Sequence, residues 1–161
     1  MFVKRTYSDN LDENYQILLE QLQALISHET DLIANLANAS ALLNQFLTDI
    51  NWVGFYLNKN NELVLGPFQG LPACIRIPFG QGVCGTAAQK KETIVVPDVH
   101  QFPGHIACDP ESKSEIVVPL LKNNQIIGVL DIDSPIYNRF SDNDKVYLEA
   151  FVKILVDKIT I

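Results

Sequence analysis

Apolar residues recur at helical spacing from Leu11 to Ser27 (Leu11, Tyr15, Leu18, Leu22, Leu25 and Ile26), with Ser8, Asp9 and Asn10 available as caps, so the spacing predicts an amphipathic helix. A second helix, rich in Ala and Leu, is predicted from about Asp31 to Leu47, with Thr30 or Asp31 at its start. The pattern then shifts to strands. INWVGFYL, the turn NKNN and ELVLGPF read as a hairpin, followed by a short strand at Cys74 to Pro78, the turn FGQGV, a helix at about Gly82 to Lys90 and the strand TIVVP. Asp98 to Ser114 holds Pro103, Gly104 and Pro110 and no periodicity, which predicts a loop long enough to be functional. EIVVPLL, the turn KNNQ and IIGVLDID form a second hairpin. A closing helix from Ser141 to Ile159 opens on SDND and carries Val146, Phe151, Ile154 and Leu155 as apolar positions. Hairpins between terminal helices predict an α+β domain over residues 1–161, a central antiparallel sheet with the N- and C-terminal helices packed on one face.

Composition narrows the function. With 161 residues, 47% of them hydrophobic, the chain supports one sizeable core and is short for two domains. The net charge of -7 and 12 scattered Lys and Arg argue against nucleic acid or an anionic membrane as partner, because both need a basic footprint. The amino terminus lacks the apolar stretch of a signal peptide, and no segment approaches the roughly 18 apolar residues of a membrane span, so a soluble, cytoplasmic protein is expected.

The three cysteines, Cys74, Cys84 and Cys108, cannot all pair within one chain, and a secreted disulfide framework is not expected. Cys108 lies in the long loop, after His100 and His105 and directly before Asp109, where a thiol can meet a small molecule once a neighbour favours its thiolate. Cys84 sits near the start of a helix, where the dipole lowers a thiol pKa, and Cys74 begins a strand close to Arg76. Packing explains a single buried cysteine equally well. A zinc site of these cysteines with His100 or His105 lacks the close CxxC or HxxxH spacing that marks such sites, and no metal is expected.

In IIGVLDIDS, alternation puts Ile127, Val129, Asp131 and Asp133 on one strand face and Ile126, Gly128, Leu130 and Ile132 on the other. Carboxylates ending an apolar stripe suggest a pocket mouth, although a strand running out into solvent gives the same pattern. Glu115 joins the face of Asp131 if the connecting turn has three or five residues, and the opposite face if it has two or four. Three converging acids would call for a cation, either an ammonium group or a proton. On the first hairpin Trp52, Gly54 and Tyr56 share a face, which leaves room for a small group against the rings or else describes a plain sheet core with a structural glycine.

The segments IRIPFGQGVCGTAA, VVPDVHQFPGHIACD, SEIVVPL and IIGVLDIDSP, in this order from about Ile50 onward, closely resemble the free methionine-R-sulfoxide reductases of the GAF fold. Cysteine separations of 10 and 24 residues, together with the GHIACD loop and the DIDSP strand end, make the resemblance specific. It implies an enzyme, usually a homodimer, that reduces the free amino acid. Cys108 would attack the sulfoxide and become a sulfenic acid, Cys74 would be the likeliest resolving thiol, Cys84 would enter a further disulfide, and thioredoxin or another dithiol would restore the thiols without a bound cofactor. Glu115, Asp131 and Asp133 would hold the ammonium group and help protonate the sulfoxide oxygen, with Glu115 the acid of choice, while Trp52 and Tyr56 would pack around the methyl end. Phe79 and Gln81 depart from the family pattern without touching an assigned role. The alternative is a non-catalytic GAF module that binds a small molecule or senses redox state, since fold alone licenses no activity.

Overall fold

A computed structural model of the chain describes residues 1–160. The elements run α1 (Leu11–Ile26), α2 (Leu32–Phe46), β1 (Trp52–Lys59), β2 (Glu62–Gly70), β3 (Arg76–Pro78), α3 (Gly82–Lys90), β4 (Ile94–Val96), β5 (Ser114–Lys122), β6 (Gln125–Ser134) and α4 (Asp142–Lys158). Three helices begin on side-chain caps: Asn10 accepts from the Glu13 amide, Asp31 from the Ala34 amide, and Ser141 forms a capping box with Asp144.

One six-stranded antiparallel sheet has the order β3-β2-β1-β6-β5-β4. Its two hairpins turn on Asn60–Asn61 and Asn123–Asn124, all four with positive φ, as a two-residue turn matched to strand twist requires. Helices α1, α2 and α4 bury Tyr15, Leu18, Leu22, Leu36, Leu43, Phe151 and Leu155 against Val53, Phe55, Ile116 and Leu130 on one face. The smaller α3 packs on the other, with Val83, Cys84, Ala87 and Ala88 against Trp52, Tyr56, Val117 and Val129. Two apolar positions of the helical readings prove exposed, Leu11 and Val146. The buried stripe of α4 is Leu148, Phe151, Val152, Leu155 and Val156, a three-four spacing from which Val146 points away.

The second hairpin corrects the simple alternation along β6. Leu121 pairs with Ile126 but Leu120 pairs with Gly128, so Ile127 is an extra, bulged residue. Ile126 therefore joins the α3 face and Ile127 the three-helix face, the reverse of the parity reading. The same bulge turns Glu115 around. Behind a two-residue turn with regular pairing it would share a face with Ile132; with the bulge it pairs with Asp133.

Candidate active site

Cross-strand pairing gathers the acids and aromatic rings into adjacent rungs on the α3 face. Trp52, Asp133 and Glu115 lie abreast on β1, β6 and β5, and Gly54, Asp131 and Val117 form the next rung. Tyr56 follows beside Val129. The space beside Gly54 is not open, however. A Cβ there would meet the Phe68 Cβ at 2.3 Å, and the Phe68 ring stacks on Trp52 with centroids 5.2 Å apart.

Two loops close over these rungs. The β2–β3 loop is tied down by the rings: Trp52 Nε1 donates to the Leu71 carbonyl at 3.1 Å and the Tyr56 hydroxyl to the Cys74 carbonyl at 2.9 Å. The Asp98–Ser114 segment is structured by a 3-10 turn at Val99–Gln101 and is held by Asn51, whose Nδ2 donates to Asp109 Oδ2 at 2.9 Å and Ser112 Oγ at 3.0 Å. A disulfide between Cys74 and Cys108 joins the two loops, with Cα atoms 5.8 Å apart. Cys84 is the free cysteine, buried on α3 beneath the loops, and its thiol points to Glu115 Oε1 at 3.9 Å.

The pocket enclosed has about 530 Å³ of empty space including its open mouth, and is lined by Trp52, Tyr56, Cys84, Cys108, Glu115, Asp131 and Asp133 among others. All eight residues singled out in the sequence for the site therefore converge or sit at its rim, Cys74 through its bond to Cys108. Gln81, one of the two positions that depart from the family pattern, also lines it. Sequence reasoning missed Asn51, Ser112 and the contribution of Asp109; their only signal is polarity beside Trp52 and Cys108. His105, which the sequence offers as a neighbour of Cys108 and as a candidate zinc ligand, places its Nε2 3.6 Å from Glu115 Oε2.

The electrostatics are those of acids without a counter-charge, since among the described residues no Lys or Arg lines the pocket. Burial pushes Glu115, Asp131 and Asp133 well above the usual carboxylate range, and they raise one another further: Asp133 acts on Glu115, Glu115 on Asp131, and Asp131 with Asp109 on Asp133. The Cys84 thiol is also raised, by burial first and then by Asp131 and Glu115, so these outweigh the helix dipole expected to lower it. Burial lowers His105, which favours a neutral imidazole beside Glu115. Asp131 Oδ1 is buried with no hydrogen-bond partner, an acceptor left for something the pocket takes in. Such a cluster can keep a proton near neutral pH and receive a cationic group, with a sulfur pair at its edge for redox chemistry.

The chain belongs to the GAF domain family, whose model matches residues 16–158. Within that family it groups with proteins named free methionine-R-sulfoxide reductase. The one from Escherichia coli is 56% identical over 143 residues, 89% of this chain and 87% of the relative. Among solved structures, fRMsr of Staphylococcus aureus in complex with substrate is 58% identical with a TM-score of 0.88, covering 97% of this chain and 100% of that one. Free methionine-R-sulfoxide reductase of Neisseria meningitidis in complex with its substrate is 46% identical with a TM-score of 0.94, over 98% and 95% of the two chains.

Proposed function

We propose that the chain reduces free L-methionine-R-sulfoxide to L-methionine, with Cys108 as nucleophile and Cys74 as resolving thiol. The observation that carries this reading is a Cys74–Cys108 disulfide at the rim of a pocket lined by the buried acids Glu115 and Asp131 and the half-buried Asp133. In the reduced chain the Cys108 thiolate attacks the sulfoxide sulfur while a carboxyl of the cluster protonates the oxygen, which is a poor leaving group until it carries a proton. Oxygen passes to Cys108 as a sulfenic acid and methionine leaves. The Cys74 thiol then displaces that oxygen as water and forms the disulfide, which protects Cys108 from further oxidation.

Glu115 is assigned as the acid because it is buried, its proton is favoured by its surroundings, and it faces both the Cys84 thiol and His105. The substrate ammonium takes the free Asp131 Oδ1 and the side chain of Asp133, and Trp52 and Tyr56 supply the apolar wall for the methyl end. Cys84, lying against the cluster, is assigned to a further disulfide in a later oxidised form. A dithiol, thioredoxin in the cell, returns two electrons and two protons to the Cys74–Cys108 pair. The reading needs no bound cofactor or metal, and takes the working form to be a single-domain subunit of a cytoplasmic homodimer.

The test is consumption of free L-methionine-R-sulfoxide with dithiothreitol as reductant, for the native chain and Cys108→Ser, repeated with the S epimer. Turnover of the R epimer alone, abolished by the substitution, is expected. No turnover of either epimer by folded, reduced protein overturns the reading and favours a sensing module.

A further inference from the structure

The sulfur and two of the acids form a second kind of site. Cys84 Sγ and one carboxylate oxygen each from Glu115 and Asp131 lie within 4.8 Å of one another, supplied by three different elements, α3, β5 and β6. We propose that Cys84, Glu115 and Asp131 bind one thiophilic divalent cation of the Zn2+ type in the substrate-free pocket, so that such a cation competes with substrate.

Geometry supports a compact ion. Tetrahedral zinc with Zn–S of about 2.3 Å and Zn–O of about 2.0 Å sets its sulfur and oxygen ligands roughly 3.5 Å apart. The observed 3.9 Å between Cys84 Sγ and Glu115 Oε1 closes to that with a shift of a few tenths of an ångström. Asp131 is only 7% exposed, and its Oδ1 is a buried acceptor with no hydrogen-bond partner, so that carboxylate keeps an open coordination position beside Cys84 and Glu115. One thiolate with two carboxylates suits zinc or cobalt better than calcium or magnesium, which favour all-oxygen shells. His105 Nε2, 3.6 Å from Glu115 Oε2, is the nearest further donor, and otherwise water from the pocket completes the shell. Cys74 and Cys108 play no part, because a disulfide sulfur is not a thiolate ligand.

The competition with substrate rests on the function proposed above, in which the ammonium group uses Asp131. Cation binding itself does not, and it can be measured without turnover.

The probe is Co2+ added to the disulfide form in reductant-free buffer, where Cys84 is the one thiol left to report. A thiolate-to-cobalt charge-transfer band in the near ultraviolet is expected, saturating at one ion per chain and displaced by Zn2+. Cys84→Ser should abolish the band. Asp131→Asn should weaken binding at least tenfold, the lower end of the roughly 10- to 100-fold that even an outer-shell partner is worth. Absence of the band in the native chain, or full-affinity binding in either folded variant, overturns the site. Free methionine should raise the apparent dissociation constant for Co2+. If it does not, the competition fails while cation binding and reductase activity stand on their own measurements.

Discussion

The two faces of the sheet are built from the same six strands under opposite rules. On the face of α1, α2 and α4, hydrophobic side chains interlock, and the buried polar Tyr15–Asp144 pair is satisfied: the Tyr15 hydroxyl donates to Asp144 Oδ1 at 2.5 Å, while Arg139 and Ser141 occupy Asp144 Oδ2. On the face of α3, Glu115, Asp131 and the Cys84 thiol are buried beside the half-buried Asp133, with no Lys or Arg among the described residues lining the pocket and with Asp131 Oδ1 unpartnered. The first arrangement is what stability selects. The second stores unfavourable electrostatics that a ligand or proton relieves, as functional sites commonly do.

The comparison breaks most sharply on the stability side with Phe151→Ala. Phe151 is fully buried under the three helices, and its truncation should cost about 3–5 kcal/mol in urea unfolding while sulfoxide turnover per folded molecule stays near native. Inactivity of the folded fraction would show that the two faces are not separable.

Asp131→Asn should move both properties, in opposite directions. Loss of a charge-assisted contact of about 1.5–3 kcal/mol predicts a roughly 10- to 100-fold fall in kcat/KM. Stability should rise at neutral pH. A carboxyl whose folded pKa is raised binds its proton more tightly folded than unfolded, so its contribution is complete below the ordinary carboxylate value near 4 and is lost as pH climbs through the folded value. Denaturation from about pH 4 upward should show native stability falling relative to the variant, and parallel curves would remove Asp131 from the cluster.

The smallest effect is expected from Asn51→Ala, which removes two hydrogen bonds to the Cys108 loop at about 1 kcal/mol each or less. Hydrogen exchange in the 105–112 segment should quicken and turnover should drop severalfold. Unchanged exchange would mean that the disulfide alone holds the loop.

Much of this was legible because it rests on local chemistry. Paired asparagines announce both hairpin turns, and Asn10, Asp31 and Ser141 announce their helices. Strand alternation alone left the convergence of Glu115 with Asp133 open, and only the family resemblance implied it, because it depends on a bulge placed where Gly128 lies against the Tyr56 carbonyl; a Cβ there would sit 2.2 Å from that oxygen. No alternation rule registers such a contact between strands. Phe68 beside Gly54 escaped for the same reason, being brought there by β2 from across the sheet. The burial of Cys84 among acids depends on how α3 docks, whereas a helix N-terminus alone argues for an acidic thiol.

The sulfur bridge between Cys74 and Cys108 closes a loop of 34 residues in a chain of 161. A link of that length removes roughly 3–4 kcal/mol of entropy from the unfolded ensemble. Oxidised and reduced protein should therefore melt at temperatures differing on the order of 10 °C. In the proposed cycle, heat resistance would rise and fall with every catalytic round, and a simple thermal melt would read out what fraction of the enzyme is waiting for its reductant.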